Sequence, residues 1–143
     1  MITRLQELVE LAAQQPPTRV AVAAAAHKLV LESVQRAVNL GLVVPLLVGR
    51  EEDIRAEAEA IGWDLEAHQI VATPTNKAAA QAAVDLVRHG EAEVLMKGYL
   101  HTDEMLHAVL RQETGLRTDR LLTHIFVLEV PTYHKLLLIT DAA

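Results

Sequence analysis

The sequence predicts an α/β fold, a three-layer α/β/α arrangement around a mainly parallel sheet. Three observations predict it. Apolar runs of strand length alternate with segments whose apolar residues recur at helical spacing. Gly41, Gly62 and Gly90 each close a helical segment just before a strand, as left-handed C′ residues do. The connections are short, with no repeat, low-complexity segment or linker, so residues 1–143 read as a single domain.

Ile2, Leu5, Leu8, Val9 and Ala12 keep helical spacing, and Gln14-Gln15-Pro16-Pro17 stops that helix. Arg19–Ala23 is a short strand. Lys28–Leu40 is a helix expected to bury Val30, Val34, Ala37 and Val38. Val43–Val48 suits a strand covered on both faces, with Pro45 marking an edge position or a local irregularity. Three acids open the helix Glu51–Ile61, where the macrodipole favours them. Gln69–Ala72 is a strand, Asn76–His89 a helix with an alanine-rich packing side, Val94–Lys97 a strand and Thr102–Leu110 a helix. Gly115 is expected to end that last helix as the other three glycines end theirs. Leu121–Leu128 and Lys135–Thr140 are further strand-like runs. Leu136–Ile139 is apolar enough to need cover on both faces, yet no helix follows it. The chain is therefore expected to be a piece of something longer.

Composition excludes several function classes. Of 143 residues, 51% are hydrophobic and 22% charged, which is ordinary for a globular domain. Thirteen basic against 19 acidic residues give a net charge of −6, and no basic stripe with interleaved aromatics suggests nucleic-acid binding. The absence of cysteine removes disulfides, thiolate metal sites and a cysteine nucleophile. No apolar run approaches the roughly 18 residues of a membrane span, and the first ten residues do not read as a signal peptide, so a cytoplasmic protein is expected. The seven histidines form no i, i+4 pair and no H-E-x-x-H, so no metal site is expected. Ser33, the only serine, sits inside a helix, and no G-x-S-x-G occurs. Neither glycine-rich phosphate fingerprint is present.

In an open α/β sheet, ligands bind beyond the carboxyl ends of the strands. The most informative such end is Leu95-Met96-Lys97-Gly98-Tyr99-Leu100-His101-Thr102. A lysine and a glycine at a strand tip, with a hydroxyl residue at a helix start, can set an ammonium, backbone N–H groups and a helix dipole around one anion. The same residues also read as an ordinary turn with a solvated lysine and a capping threonine. His124 falls inside the strand-like run Leu121–Leu128, where its ring must find a partner or face a cleft. Arg117, with Arg111 and Arg120, can grip a phosphate or carboxylate or stand as plain surface charge.

The stretches 20–49, 82–110 and 114–143, with the ordered set LMKG, GLR, TH, VPTYHK and ITDAA in the last two, resemble the phosphate acetyl/butyryl transferase family, and phosphate butyryltransferases most. The resemblance implies a fold like that of isocitrate and isopropylmalate dehydrogenases. It implies reversible exchange of acyl-CoA plus phosphate with acyl phosphate plus CoA, with coenzyme A as substrate and no covalently bound cofactor. Carried over by position, Lys97, Gly98 and Thr102 line the acyl-phosphate end of the cleft. Thr123-His124 and Thr140-Asp141 border it, with His124 and Asp141 as the catalytic pair and Arg117 as a further phosphate contact. Members of the family are about twice as long. The chain is thus expected to be the N-terminal part of such an enzyme, lacking the second wall of the cleft and weak or inactive alone, in a homo-oligomer or with a missing C-terminal half. The rival expectation is a non-catalytic module that binds an acyl-CoA or similar anion and pairs with another chain.

Overall fold

A computed structural model describes residues 2–65 and 68–141; Met1, and Ala142-Ala143 of the ITDAA stretch, lie outside the described residues. The chain divides into two compact units, Pro17–Arg117 and the combination of Met1–Pro16 with Thr118–Ala143.

The larger unit carries β1 (Thr18–Ala23), α2 (Lys28–Asn39), β2 (Val43–Gly49), α3 (Glu51–Ala60), β3 (Gln69–Ala72), α4 (Asn76–Arg88), β4 (Val94–Lys97) and α5 (Thr102–Val109), following α1 (Leu5–Ala12) of the other unit. The four strands form one parallel sheet in the order β3-β2-β1-β4. Strand alternation sorts the core into two layers. Val20, Val22, Ala25 and Leu47 pack with Leu31 and Val34 of α2, Ile54 and Ala58 of α3, Trp63 and Leu65. Ala21, Ala23, Leu46 and Val48 pack on the other face with the alanines of α4 and with Met105 and Ala108 of α5. The helices before and after the reversal of strand order therefore lie on opposite faces, as right-handed crossovers require.

Three local expectations need correction. The packing face of α2 is centred on Leu31 and Val34, with Val30, Ala37 and Val38 only half-buried, because the helix meets the sheet one position round from the valine stripe. Pro45 does not mark an edge strand, since β2 lies between β1 and β3. Leu42 O and Val48 O accept bonds from β1 and its extension, whereas Gly49 O accepts from Thr73 beyond β3. That alternation turns the Pro45 nitrogen away from β1, and β3 begins to pair only at Leu46, so the missing donor breaks no ladder bond. Gly41, Gly62 and Gly90 have φ of 70°, 67° and 76°, but Gly115 is not among the left-handed glycines. A Cβ there would collide with Val109 O and Arg111 O instead, so it is the space that demands glycine.

At the amino ends of β1 and β4, Glu93 N–H donates to Arg19 O at 2.9 Å, and Arg19 N–H donates to the Glu93 carboxylate at 2.9 Å. The Arg19 guanidinium also donates to Gly90 O at 3.0 Å. These bonds clasp the two strands where they begin.

The smaller unit holds α1 and an antiparallel ribbon of β5 (Ile125–Leu128) and β6 (Leu137–Thr140), a sheet of its own. Glu129 caps α1 by accepting the Leu5 N–H at 2.9 Å. The late strand-like runs are thus shorter than expected and antiparallel. Leu121–His124 stays outside the ladder, because only residues from Ile125 on find a partner. Leu138 is 69% exposed and Phe126 53%, so the ribbon shows apolar side chains to its surroundings.

Removing a fully buried side chain from the central strands should cost far more than altering the ribbon. Leu47→Ala is expected to lower the stability of the parallel unit by about 2–5 kcal/mol, and Leu138→Thr to change it by less than about 0.5 kcal/mol, in urea unfolding followed by circular dichroism.

Candidate functional site at the carboxyl ends of β1 and β4

Chain order runs from β1 outward to β2 and β3, then returns to place β4 on the other side of β1. The connections leaving β1 and β4, into α2 and α5, part on opposite faces and open a crevice at the carboxyl ends of these two strands. Lys97 and Gly98 stand at that crevice.

Pairing continues past the strand ends. Gly98 N–H donates to Ala23 O at 2.8 Å and Tyr99 N–H to Ala24 O at 2.9 Å. A Cβ on Gly98 would overlap both carbonyl oxygens, so only glycine lets the two tips approach this closely. Ala24 is buried with φ of 54°, an uncommon conformation for a residue with a side chain. The backbone is thus held strained at the point where the crevice opens.

The turn also sets the lysine. Lys97 Nζ donates to Leu100 O at 2.9 Å and lies 3.5 Å from Gly98 O, so backbone carbonyls fix the ammonium at the tip. The Asn76 amide at the start of α4 donates to Tyr99 O at 3.3 Å and ties the turn to the neighbouring helix. Asn76, Lys97, Gly98, Tyr99, Leu100, His101 and Glu104 enclose a cavity of about 320 Å³, within the range of small-molecule sites.

Above the turn, the rings of Tyr99 and His27 stack with centroids 4.1 Å apart and planes 14° from parallel. His27 precedes the first turn of α2 but its side chain does not cap it, and its Nδ1 is buried without a partner. Tyr99 falls within the strand end that the sequence pattern marks, whereas His27, Asn76 and Glu104 were given no role there. A histidine just past one strand and an asparagine just past another were the available signal, since both tips belong to one rim.

Thr102 stands beside this cavity as the first residue of α5, exposed and without a side-chain bond. It is not the cap: His101 occupies that position in extended conformation, Thr102 is already helical, and residue 105, three further on, is Met and not an acidic partner. Arg117 is an exposed residue of the loop after α5 and does not line the cavity. In the other unit, Thr140 pairs with Ile125, so Thr123-His124 and Thr140-Asp141 gather at one end of the ribbon. His124 is not a buried strand residue as its neighbours suggest; it is exposed and meets Phe126 edge to face at 5.2 Å. Asp141 adopts φ of 54°, a conformation aspartate tolerates. Among the described residues no group of three or more His, Cys, Asp or Glu is placed to hold a metal ion. None of the described helices is long and apolar enough to cross a membrane.

Residues 4–82 match the family model described as phosphate acetyl/butaryl transferase. The chain belongs to the phosphate acetyl/butyryl transferase family. It is 41% identical to a phosphate acetyltransferase of Rhizobium meliloti over 99% of this chain and 45% of the relative. It is 38% identical to a phosphate butyryltransferase of Clostridium acetobutylicum over 100% of this chain and 48% of the relative. Among solved structures, a branched-chain phosphotransacylase from Enterococcus faecalis V583 superposes with a TM-score of 0.65 at 26% identity, covering 88% of this chain and 43% of that one. This member of the transferase family thus spans about half the length of the relatives it matches.

The close approach of the two tips generates a test. Gly98→Ala should destabilise the parallel unit by about 1–3 kcal/mol in urea unfolding, since the added methyl meets two carbonyl oxygens that cannot turn aside.

Proposed function

We infer that this chain supplies one half of a phosphate acyltransferase of the acetyl or butyryl type, which exchanges acyl-CoA and phosphate for acyl phosphate and CoA in the cytoplasm. The observation that carries this reading is the fixed ammonium of Lys97 at the β1–β4 crevice, on a family member whose curated relatives are phosphate acetyl- and butyryltransferases.

Attack of phosphate on a thioester, or of the CoA thiolate on an acyl phosphate, builds an oxyanion beside a phosphate dianion. Such a reaction needs cations and N–H donors at fixed positions. Lys97 donates two of its hydrogens to carbonyls and keeps a third for a phosphate oxygen. Gly98 contributes by letting the tip of β4 close on β1, which fixes the turn that holds Lys97, and Thr102 offers a hydroxyl at the amino end of α5. Arg117 is assigned a further phosphate contact. His124 and Asp141 take the proton-handling roles that the resemblance implies, with Thr123 and Thr140 beside them as substrate contacts. Coenzyme A enters as substrate, and no covalently bound cofactor is required by this chemistry.

The length comparison favours a second reading of the isolated chain, in which it binds the anion and completes catalysis only with another chain, either a further copy or the remaining half of the fold. A thiol assay separates these states cleanly, because the chain contains no cysteine and the whole signal comes from CoA. The chain alone should consume CoA thiol in the presence of butyryl phosphate at less than about 1 turnover per second; a higher rate would show a complete enzyme. In calorimetric titration with butyryl phosphate, Lys97→Met should weaken binding by roughly tenfold or more, the worth of a charge-assisted hydrogen bond. Unchanged affinity in that variant would remove Lys97 from the site.

A further inference from the structure

The cavity at the β1–β4 crevice is not enclosed by hydrogen-bond donors alone. Lys97 Nζ donates to Leu100 O at 2.9 Å and lies 3.5 Å from Gly98 O, which leaves a third hydrogen for a ligand. The Asn76 amide gives one hydrogen to Tyr99 O at 3.3 Å and keeps a second. His101 stands at the cap position of α5, but its ring does not cap the helix. Glu104 closes the same cavity and is the one carboxylate among the described residues that enclose it.

The helix alone does not account for that carboxylate. The positive end of the α5 macrodipole favours acids in the first turn, and Asp103 and Glu104 both stand there. Only one of them faces the cavity: Asp103 is exposed and does not enclose it, whereas Glu104 is half-buried against it. An ionised carboxylate can only accept hydrogen bonds. An oxyanion without a proton therefore meets the donors of Lys97 and Asn76 but is repelled at Glu104. An oxyanion that keeps one proton turns its bare oxygens to the donors and gives its O–H to Glu104, a charge-assisted bond of the strong kind.

We propose that Glu104 makes this cavity selective for an oxyanion that carries a proton, so that it takes inorganic phosphate and rejects sulfate. Near neutral pH the hydrogen phosphate dianion and sulfate share tetrahedral shape, size and charge, and differ in that proton. This selectivity rests on the reading of Lys97 as a phosphate contact and adds which form of the anion is bound. It also separates the two phosphorus-bearing anions of the proposed reaction. Substituted phosphates give up their last proton near about pH 6, so an acyl phosphate at about pH 7.5 has none to offer Glu104.

Calorimetric titration of the full 143-residue chain with potassium phosphate and with potassium sulfate, both at about pH 7.5, tests the selectivity without any variant. Phosphate should bind at least about tenfold more tightly than sulfate. Glu104→Gln is close in shape and can donate as well as accept. It should keep the native circular dichroism spectrum, bring the two affinities within about threefold of each other, and tighten butyryl phosphate by roughly threefold. Asp103→Asn removes the same charge one residue away and should keep the parent's preference for phosphate. Sulfate binding as tightly as phosphate overturns the proposal, as does phosphate failing to bind at up to about 50 mM. So does a Glu104→Gln chain that keeps the parent's preference or binds butyryl phosphate more weakly, or an Asp103→Asn chain that loses the preference equally. The underlying reading fails separately: if Lys97→Met leaves butyryl phosphate binding unchanged, the site itself is lost, whereas equal affinity for phosphate and sulfate beside a weakened Lys97→Met chain removes only the role of Glu104.

Discussion

The geometry of the site depends on one close approach. The tip of β4 lies against the carbonyls of Ala23 and Ala24 because residue 98 has no side chain to keep it away. Two backbone bonds then carry the β1–β4 ladder past the last strand residue, and the turn that follows cannot spread. Lys97 bonds to Leu100 O only because that turn is tight, and Tyr99 lies over His27 only because its own amide is bound to Ala24. The ammonium stands at the crevice already oriented by Leu100 O and Gly98 O, so the side chain has little freedom left to lose.

Small residues extend the same economy through the layers. Ala21 and Ala23 on one side of β1, and the alanines of α4 packed against them, let helix and strand lie close over a short four-stranded sheet. The opposite layer is built from larger side chains, Leu31, Ile54 and Trp63, which fill the space under α2 and α3. The sheet is thus sealed on both faces, and polar chemistry is left to its rim, where strand ends and helix starts expose N–H groups. A chain of net charge −6 presents a fixed cation there.

The order of strands and helices in the larger unit was legible because the period of hydrophobicity switches cleanly at Gly41, Gly62 and Gly90. The Lys97-Gly98 tip was legible because a charged residue and a glycine interrupt an apolar strand. Other features depended on contacts that no local pattern records. Pro45 is tolerated in an inner strand only because β3 starts one residue later. The helix starts at Thr102, so the cap position falls to His101, one residue earlier than the hydroxyl suggests. The His27–Tyr99 stack joins residues far apart in the chain, brought together by the return of β4 beside β1. The antiparallel pairing of the ribbon was not legible, since apolar runs of strand length look alike whether they enter a parallel ladder or fold back on themselves.

The clasp of Arg19 and Glu93 fixes the far end of the same two strands that Gly98 fixes at the rim. With β1 and β4 fastened at both extremities, the crevice cannot open by drawing its floor apart. Among the described groups around the crevice, the exposed phenol ring of Tyr99 is held by its stack on the imidazole of His27 alone, so it can turn without breaking a backbone bond.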